Sequence, residues 1–222
     1  MAKHPVPGRV KTRLAAALGA DTVCALYRAF VLDLAERLAA LPYAVTWVYT
    51  PPDAPFAEVL PGARCRPQRG RDLGERLATA IGGELDAGPG PVLAIGADAP
   101  HVPAAALAEA AAALTRGADV VLGPAADGGY YLIGLRNPAP GLFTGIAWST
   151  AGVLQATLAR AAAAGLAVHL LPPSFDVDQV ADLARLRALV ARDDVSLPRT
   201  AGMLAGLAAV LDSLSRPGGN SG

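Results

Sequence analysis

The chain has 222 residues, of which 53% are hydrophobic and 17% charged, a composition that fits a globular domain and excludes a disordered chain. Its 19 basic and 19 acidic residues cancel, so we expect no general attraction to nucleic acid or to an anionic membrane. We recognise no leader or membrane-spanning run, and Cys24 and Cys65 have no metal-binding spacing, so we expect a cytoplasmic protein with reduced thiols.

Short β-rich segments alternate with amphipathic helical segments along the chain. Apolar residues recur at three- and four-residue steps between Val23 and Leu41, which predicts a helix. By the same patterns, we expect further helices at 73–85, 103–114, 150–164 and 179–190, and strands at 44–50, 91–95, 119–122, 130–135 and 166–171. The run at 91–95 is typical of a strand buried on both faces. This order predicts a three-layer α/β/α fold with a mostly parallel sheet.

The two ends of the chain depart from this alternation. No apolar run precedes Lys3, although the first strand of such a sheet usually leads into the phosphate-binding loop. We therefore expect that the natural start lies upstream and that a central strand is missing here. Residues 1–195 are expected to form the domain, followed by a C-terminal helix at 196–214 and a disordered tail at 215–222.

A basic loop at residues 3–13 is the first candidate site, because ligands of parallel sheets bind beyond the carboxyl ends of the strands. Its basic side chains could clamp a diphosphate, with help from the Thr12 hydroxyl and the amides that begin a helix. The alternative is a solvated loop shaped by proline and glycine, and composition does not separate the two. The nucleotide-binding candidates of the loop are Lys3, Gly8, Arg9, Lys11, Thr12 and Arg13.

Three aspartates are candidate ligands of a divalent metal ion. Asp98 follows the strand at 91–95, where a carboxylate could hold Mg²⁺ or Mn²⁺ against the phosphates of a donor, although it could instead cap the next helix. Asp176 and Asp178 follow the strand at 166–171. Asp178 is well placed to cap the helix at 179–190, which makes Asp176 the better metal candidate, but we retain both.

Further candidates lie on three other loops. Gly128 and Gly129 form a tight Asp-Gly-Gly turn that would let a sugar or acceptor approach the backbone, and Asp127 is a candidate general base. The remaining acceptor-pocket candidates are Tyr130, Trp148, Ser149 and Thr150, although Ser149 or Thr150 could equally cap a helix. Gln68, Arg71 and Asp72 could bind a nucleotide, or could form a polar loop in which Asp72 caps a helix.

Six segments together resemble a known family. The strings KHPVPGRVKTRL, GRDLGERL, GADAPHVP, GPAADGGYYLIGL, WST and FDVD match, in order, the bacterial glycosyltransferase-like family associated with arsenosugar biosynthesis. That family is similar to phospholactate and molybdenum-cofactor guanylyltransferases. The resemblance implies a nucleotide-diphospho-sugar transferase (GT-A-like) fold, nucleotide binding at Arg9, Lys11 and Arg13, and a metal at Asp98 with Asp176 or Asp178.

The expected function is that of a metal-dependent glycosyltransferase. A sugar would pass from a nucleotide-sugar donor to a small-molecule acceptor, and Asp98, Lys11 and Asp127 would be the catalytic residues. A nucleotidyltransferase that acts on a nucleoside triphosphate and a phosphorylated acceptor would use the same residues. A third possibility is a nucleotide-binding domain without turnover. None of these functions requires a nucleic acid or a membrane partner.

Overall fold

The computed structural model describes residues 1–215, so the predicted tail at 215–222 lies outside the described residues except for Ser215. The strands are Ala2–Lys3 (β1), Trp47–Thr50 (β2), Cys65–Pro67 (β3), Val92–Ile95 (β4), Val120–Pro124 (β5), Tyr130–Leu135 (β6) and Val168–Leu170 (β7). The helices are Thr12–Leu18 (α1), Ala20–Ala39 (α2), Leu73–Ala87 (α3), Ala104–Arg116 (α4), Val153–Ala163 (α5), Val180–Ala191 (α6), Pro198–Gly206 (α7) and Ala208–Ser215 (α8).

The strands form two sheets that meet edge to edge. One sheet has the parallel order β1-β2-β3, and the other has the order β4-β6-β5-β7, in which β6 is antiparallel to both of its neighbours and β5 is parallel to β7. Met1 joins them, because its amino group donates to the Ile95 carbonyl at 2.8 Å and its carbonyl accepts from the Ala97 amide at 2.9 Å. The prediction of an α/β fold with a mostly parallel sheet is confirmed.

Helices cover both faces because strand side chains alternate between the faces. In β5, Val121 packs with α4 in one core cluster, whereas Val120 and Leu122 pack with α3 in another. In β4, the residues are only half-buried rather than fully buried. The neighbouring strand β1 has only two residues, which leaves part of the β4 edge uncovered.

Two short strands were not predicted. The strands β1 and β3 contain two and three residues, too few for a periodic pattern to show. The helix that the basic loop was expected to enter is α1, which has seven residues. A short strand therefore does precede the basic loop. The predicted C-terminal helix is also wrong as a single element: α7 ends at Gly206, and the Leu207 amide is shared between the carbonyls of Met203 and Leu204 before α8 begins.

No helix in residues 1–215 is long and apolar enough to cross a membrane. Both cysteines are free and half-buried.

Helix α7 is attached to α2 through a buried carboxylate. Asp33 is 1% exposed, and its two oxygens accept hydrogen bonds from the amides of Arg199 at 3.1 Å and Thr200 at 2.8 Å. These amides belong to the first turn of α7, which has no partner for them within the helix. Asp33 therefore joins the C-terminal helices to the domain.

We expect Asp33→Ala to lower the free energy of unfolding by about 2–3 kcal/mol, because two buried amides lose their acceptor. Urea unfolding of both proteins measures the difference. Glu36→Ala is the matched control, since Glu36 accepts from the same Arg199 side chain but is 66% exposed, and it should change stability little. Equal effects of the two substitutions would contradict this account of α7.

Candidate active site

Three loops are joined by backbone hydrogen bonds where β4, β5 and β7 end. The Val177 amide donates to the Asp98 carbonyl at 2.9 Å, which joins the loop after β7 to the loop after β4. The Ala126 amide donates to the Ser174 carbonyl at 3.0 Å, which joins the loop after β7 to the turn between β5 and β6. The carboxylates carried by these loops are therefore brought together by the backbone.

The loop after β7 is also held by stacked side chains. The Phe175 ring contacts the His101 ring, with centroids 4.1 Å apart, and the Arg185 guanidinium, 3.8 Å from the Phe175 centroid. Burial, with the nearby Arg37 and Arg185 charges, lowers the pKa of His101 to about 4, so this histidine is neutral at physiological pH. Phe175 directly precedes Asp176 in the sequence, so these contacts fix the backbone next to that aspartate.

Lys11 connects the basic loop to two of the carboxylates. Its Nζ atom lies 2.5 Å from Asp98 Oδ1 and 2.8 Å from Asp178 Oδ1, and its side chain is only 3% exposed. Burial alone lowers the pKa of Lys11, but the two carboxylates outweigh this effect and raise it above its ordinary value. Lys11 is therefore a buried cation shared by two strand ends.

A cavity of about 610 Å³ opens around this ion pair. The predicted site residues that line it are Lys3, Lys11, Thr12, Arg13, Asp98, Asp127, Gly129, Tyr130, Trp148, Ser149, Thr150, Asp176 and Asp178. A smaller cavity of about 190 Å³ shares Arg13, Asp127, Asp176 and Asp178 with it. The structure thus brings together residues from both ends of the sequence.

Two cations of the cavity are free for a ligand. Lys3 and Arg13 are exposed, and within residues 1–215 neither forms an ion pair with a carboxylate. Lys11 is different, because its charge is already matched by Asp98 and Asp178. An anionic ligand would therefore meet Lys3 and Arg13 first.

Asp176 carries an unusual carboxyl group. Its Oδ1 atom is buried and has no hydrogen-bond partner. Burial raises the pKa of Asp176 to about 7, and the charges of Asp98, Asp178 and Asp127 add to this effect while Lys11 opposes it. Negative charge is thus concentrated at this end of the cavity.

The carboxylates provide the oxygen ligands that Mg²⁺ and Mn²⁺ prefer, and the unpartnered Asp176 oxygen fits a role in binding a cation. They are not arranged as a preformed site, since no group of three or more His, Cys, Asp or Glu in the described part of the chain is placed to hold a metal ion. The Lys11 ammonium lies between Asp98 and Asp178 instead. The donor chemistry fits a divalent cation, although the Lys11 ammonium occupies the space between one oxygen of Asp98 and one of Asp178.

Several lining residues were not predicted, namely Val10, Tyr27, Leu73, Ala151 and Val153. Tyr27 and Leu73 are apolar positions of predicted helices. The helical pattern does not distinguish a residue that faces a cavity from one in the core. The Tyr27 hydroxyl accepts from the Lys3 amide at 2.9 Å and so positions the start of the basic loop.

Gln68, Arg71 and Asp72 do not line the cavity and have structural partners. The Gln68 side-chain amide donates to the carbonyls of Ala2 and Val48 and thereby joins β1 to β2. Arg71 pairs with Glu75, and Asp72 caps α3 by accepting from the Glu75 amide at 2.8 Å. Of the two interpretations of this segment, the structure favours the polar loop with a helix cap.

Gly8, Arg9 and Gly128 also lie outside the cavity lining. Gly8 has a φ of 74° in the turn closed by the Arg9 amide and the Val6 carbonyl, and Arg9 is exposed. Gly128 has a φ of 89°, and a Cβ there would collide with the Ala151 carbonyl. Gly128 therefore lets the β5–β6 turn pack against the segment before α5.

Two helix caps that the sequence suggested are not formed by the expected residues. Asp178 does not cap α6, because Gln179 is the N-cap and forms a capping box with Asp182, which leaves the Asp178 side chain to accept from Lys11. Thr150 does not cap α5, which begins at Val153; its hydroxyl instead donates to the Ala147 carbonyl at 2.8 Å.

One wall of the cavity is apolar. Trp148 is half-buried and packs against α3 at Gly74, where a Cβ would lie 2.7 Å from the indole. Leu73 and Tyr130 line the cavity as well. The next residue, Ser149, has a φ of 64°, an unusual conformation for a non-glycine residue that occurs often at functional sites. The cavity therefore combines a charged side with an aromatic side.

The raised pKa of Asp176, about 7, makes folding stability depend on pH. In the unfolded chain this carboxyl ionises at about 4, so its contribution to stability is complete below about pH 4 and is lost as the pH rises through about 7. Asp176→Asn should therefore be more stable than the wild type at pH 8, by on the order of 2 kcal/mol, and similar to it near pH 4. Urea unfolding at both pH values measures this. Asp53→Asn, at an exposed carboxylate outside the cavity, should show no such difference. The same stability difference between Asp176→Asn and the wild type at both pH values would contradict the burial argument.

The chain has recognisable relatives. The model of the family described as uncharacterized protein conserved in bacteria (DUF2064) matches residues 31–150. A solved structure from Desulfovibrio desulfuricans G20, of a protein described as a candidate nucleotide-diphospho-sugar transferase, is similar with a TM-score of 0.88 and 38% identity, over 95% of this chain and 94% of that one. No curated protein matches the chain in sequence. The chain belongs to the DUF2064 family of proteins conserved in bacteria.

Proposed function

We propose that the protein is a glycosyltransferase that moves a sugar from a nucleotide-sugar donor to a small-molecule acceptor with the aid of Mg²⁺ or Mn²⁺. The observation that carries the proposal is the cavity at the carboxyl ends of the strands, in which free cations and a group of carboxylates face the same space. The similarity to a candidate nucleotide-diphospho-sugar transferase supports the proposed donor class.

Lys3 and Arg13 would bind the diphosphate of the donor. Both are exposed cations of the cavity, so no existing ion pair must be broken when the phosphate oxygens arrive. Thr12 lies between Lys11 and Arg13 and could donate its hydroxyl to the same group. Charge-assisted hydrogen bonds to the diphosphate strengthen as negative charge develops on it during sugar transfer, which lowers the barrier.

Asp98, Asp176 and Asp178 would hold the divalent metal ion. When bound, the ion supplies positive charge that stabilises the leaving nucleoside diphosphate. The three carboxylates come from loops joined by the Val177–Asp98 backbone hydrogen bond, so their spacing does not depend on flexible side chains alone.

The acceptor would bind against the aromatic wall. Trp148 and Tyr130 can pack against a sugar ring, and Gly129 allows close approach to the backbone. Asp127 lines both cavities and is exposed, and its carboxylate would accept the proton of an acceptor hydroxyl. The association with arsenosugar biosynthesis stays a prediction of the sequence resemblance, and arsenic-containing acceptors are one class to test.

A thermal-shift screen tests the donor class. Nucleotide-sugars, nucleoside diphosphates and nucleoside triphosphates are compared with and without Mn²⁺. One nucleotide-sugar should stabilise the protein in a metal-dependent manner, by about 2.7 kcal/mol at a hundredfold excess over its dissociation constant. Asp98→Asn should remove the metal-dependent part of the shift, whereas Asp53→Asn, outside the cavity, should not.

The other outcomes separate the alternatives. Preferential stabilisation by a nucleoside triphosphate, with release of pyrophosphate when a phosphorylated acceptor is added, would identify a nucleotidyltransferase. Stabilisation by a nucleotide-sugar without release of nucleoside diphosphate in the presence of any acceptor would favour a binding domain. No stabilisation of the folded protein by any of these ligands would overturn the proposal.

A further inference from the structure

Lys11 takes the position between two carboxylates that a bound cation would take. Its Nζ atom contacts Asp98 Oδ1 at 2.5 Å and Asp178 Oδ1 at 2.8 Å, and these oxygens come from two different strand ends. A metal ion that bridges the same oxygens would need the same space. The ammonium and the metal ion therefore compete for it.

The backbone of Lys11 and its buried neighbours hold the side chain in this position. The residue has left-handed backbone angles, φ 47° and ψ 48°, directly before α1. This conformation is strained for a non-glycine residue, so the surroundings must stabilise it. Its neighbours Val10, 2% exposed, and Leu14, 0% exposed, anchor the segment in the core. The side chain is directed at the carboxylates by a fixed backbone.

The ammonium and a divalent cation cannot both occupy this place. Two positive charges at this separation repel, and a divalent ion repels the ammonium twice as strongly as a monovalent ion would. Metal binding must therefore move the ammonium. Lys11 lines the cavity together with Lys3 and Arg13, so a displaced ammonium would remain close to the proposed diphosphate site.

We propose that Lys11 is an internal counter-ion that competes with the divalent cation for Asp98 and Asp178, and that cation binding releases its ammonium to the diphosphate of the donor. This inference rests on the proposed function, because it concerns the same carboxylates and the same donor. It predicts that the metal ion and the donor each increase the affinity for the other, since the metal frees a cation that the donor needs.

The test measures Mn²⁺ binding by electron paramagnetic resonance in the absence of nucleotide. Lys11→Met should bind Mn²⁺ on the order of tenfold more tightly than the wild type, because the competing charge is gone. Lys11→Arg keeps a competing cation and should stay close to the wild type. Lys3→Met is the matched control, since it removes the same charge from the same cavity without touching Asp98 or Asp178, and it should change the affinity about twofold at most at physiological salt.

Three results would overturn the inference: equal or weaker Mn²⁺ binding by Lys11→Met, equal tightening by Lys3→Met, and no Mn²⁺ binding by any of the proteins. If Lys11→Met does not fold, nuclear magnetic resonance of the wild type with ¹⁵N-labelled lysine replaces it. One lysine ammonium signal should then shift when Mg²⁺ is added, and an unchanged set of signals would count against the inference.

The outcomes for this inference and for the proposed function are distinguishable. If a nucleotide-sugar binds and reacts but Lys11→Met leaves the Mn²⁺ affinity unchanged, only the role of Lys11 fails. If Lys11→Met tightens Mn²⁺ binding but no nucleotide-sugar stabilises the protein, the proposed function fails and the competition for the carboxylates stands.

Discussion

The buried ion pairs of Lys11 are the interaction on which the arrangement of the site depends. They join the basic loop after β1 to the loops that follow β4 and β7, which are separated from it by long stretches of sequence. A buried charge is tolerated only when it is paired, and Lys11 is paired with both Asp98 and Asp178. The same requirement keeps the three segments around one cavity. Removing both carboxylates would leave the Lys11 charge uncompensated in the interior.

The basic residues of the cavity differ in whether they are already paired with a carboxylate. Lys11 is neutralised within the protein, whereas Lys3 and Arg13 are free to meet an anion. The carboxylates outnumber the cation that they share, and the raised pKa of Asp176 reflects this excess of negative charge after the effect of burial. A nucleotide-sugar donor would bring phosphate groups for the free cations and a divalent cation for the carboxylates.

Sequence patterns predicted the layers of the fold well, because long helices and buried strands carry strong periodicity. They also identified Asp98 and Asp127, since each directly follows a sheet strand, and the structure places both at the cavity. They failed for Asp178, because a local cap and a distant ion pair are indistinguishable without knowing that Lys11 lies 167 residues away in the sequence but adjacent in space. Arg71 and Asp72 were placed in the site for a similar reason, since polar turns and phosphate-binding loops have the same composition.

A crystal structure of the protein with Mn²⁺ and the nucleotide-sugar that stabilises it most would test the central claim directly. Anomalous scattering locates the metal ion without ambiguity. The account predicts that Mn²⁺ is bound by Asp98 together with Asp176 or Asp178, with the donor diphosphate in contact with Lys3 or Arg13 in the same cavity. A metal ion or a diphosphate bound elsewhere on the protein, with this cavity unchanged, would contradict it.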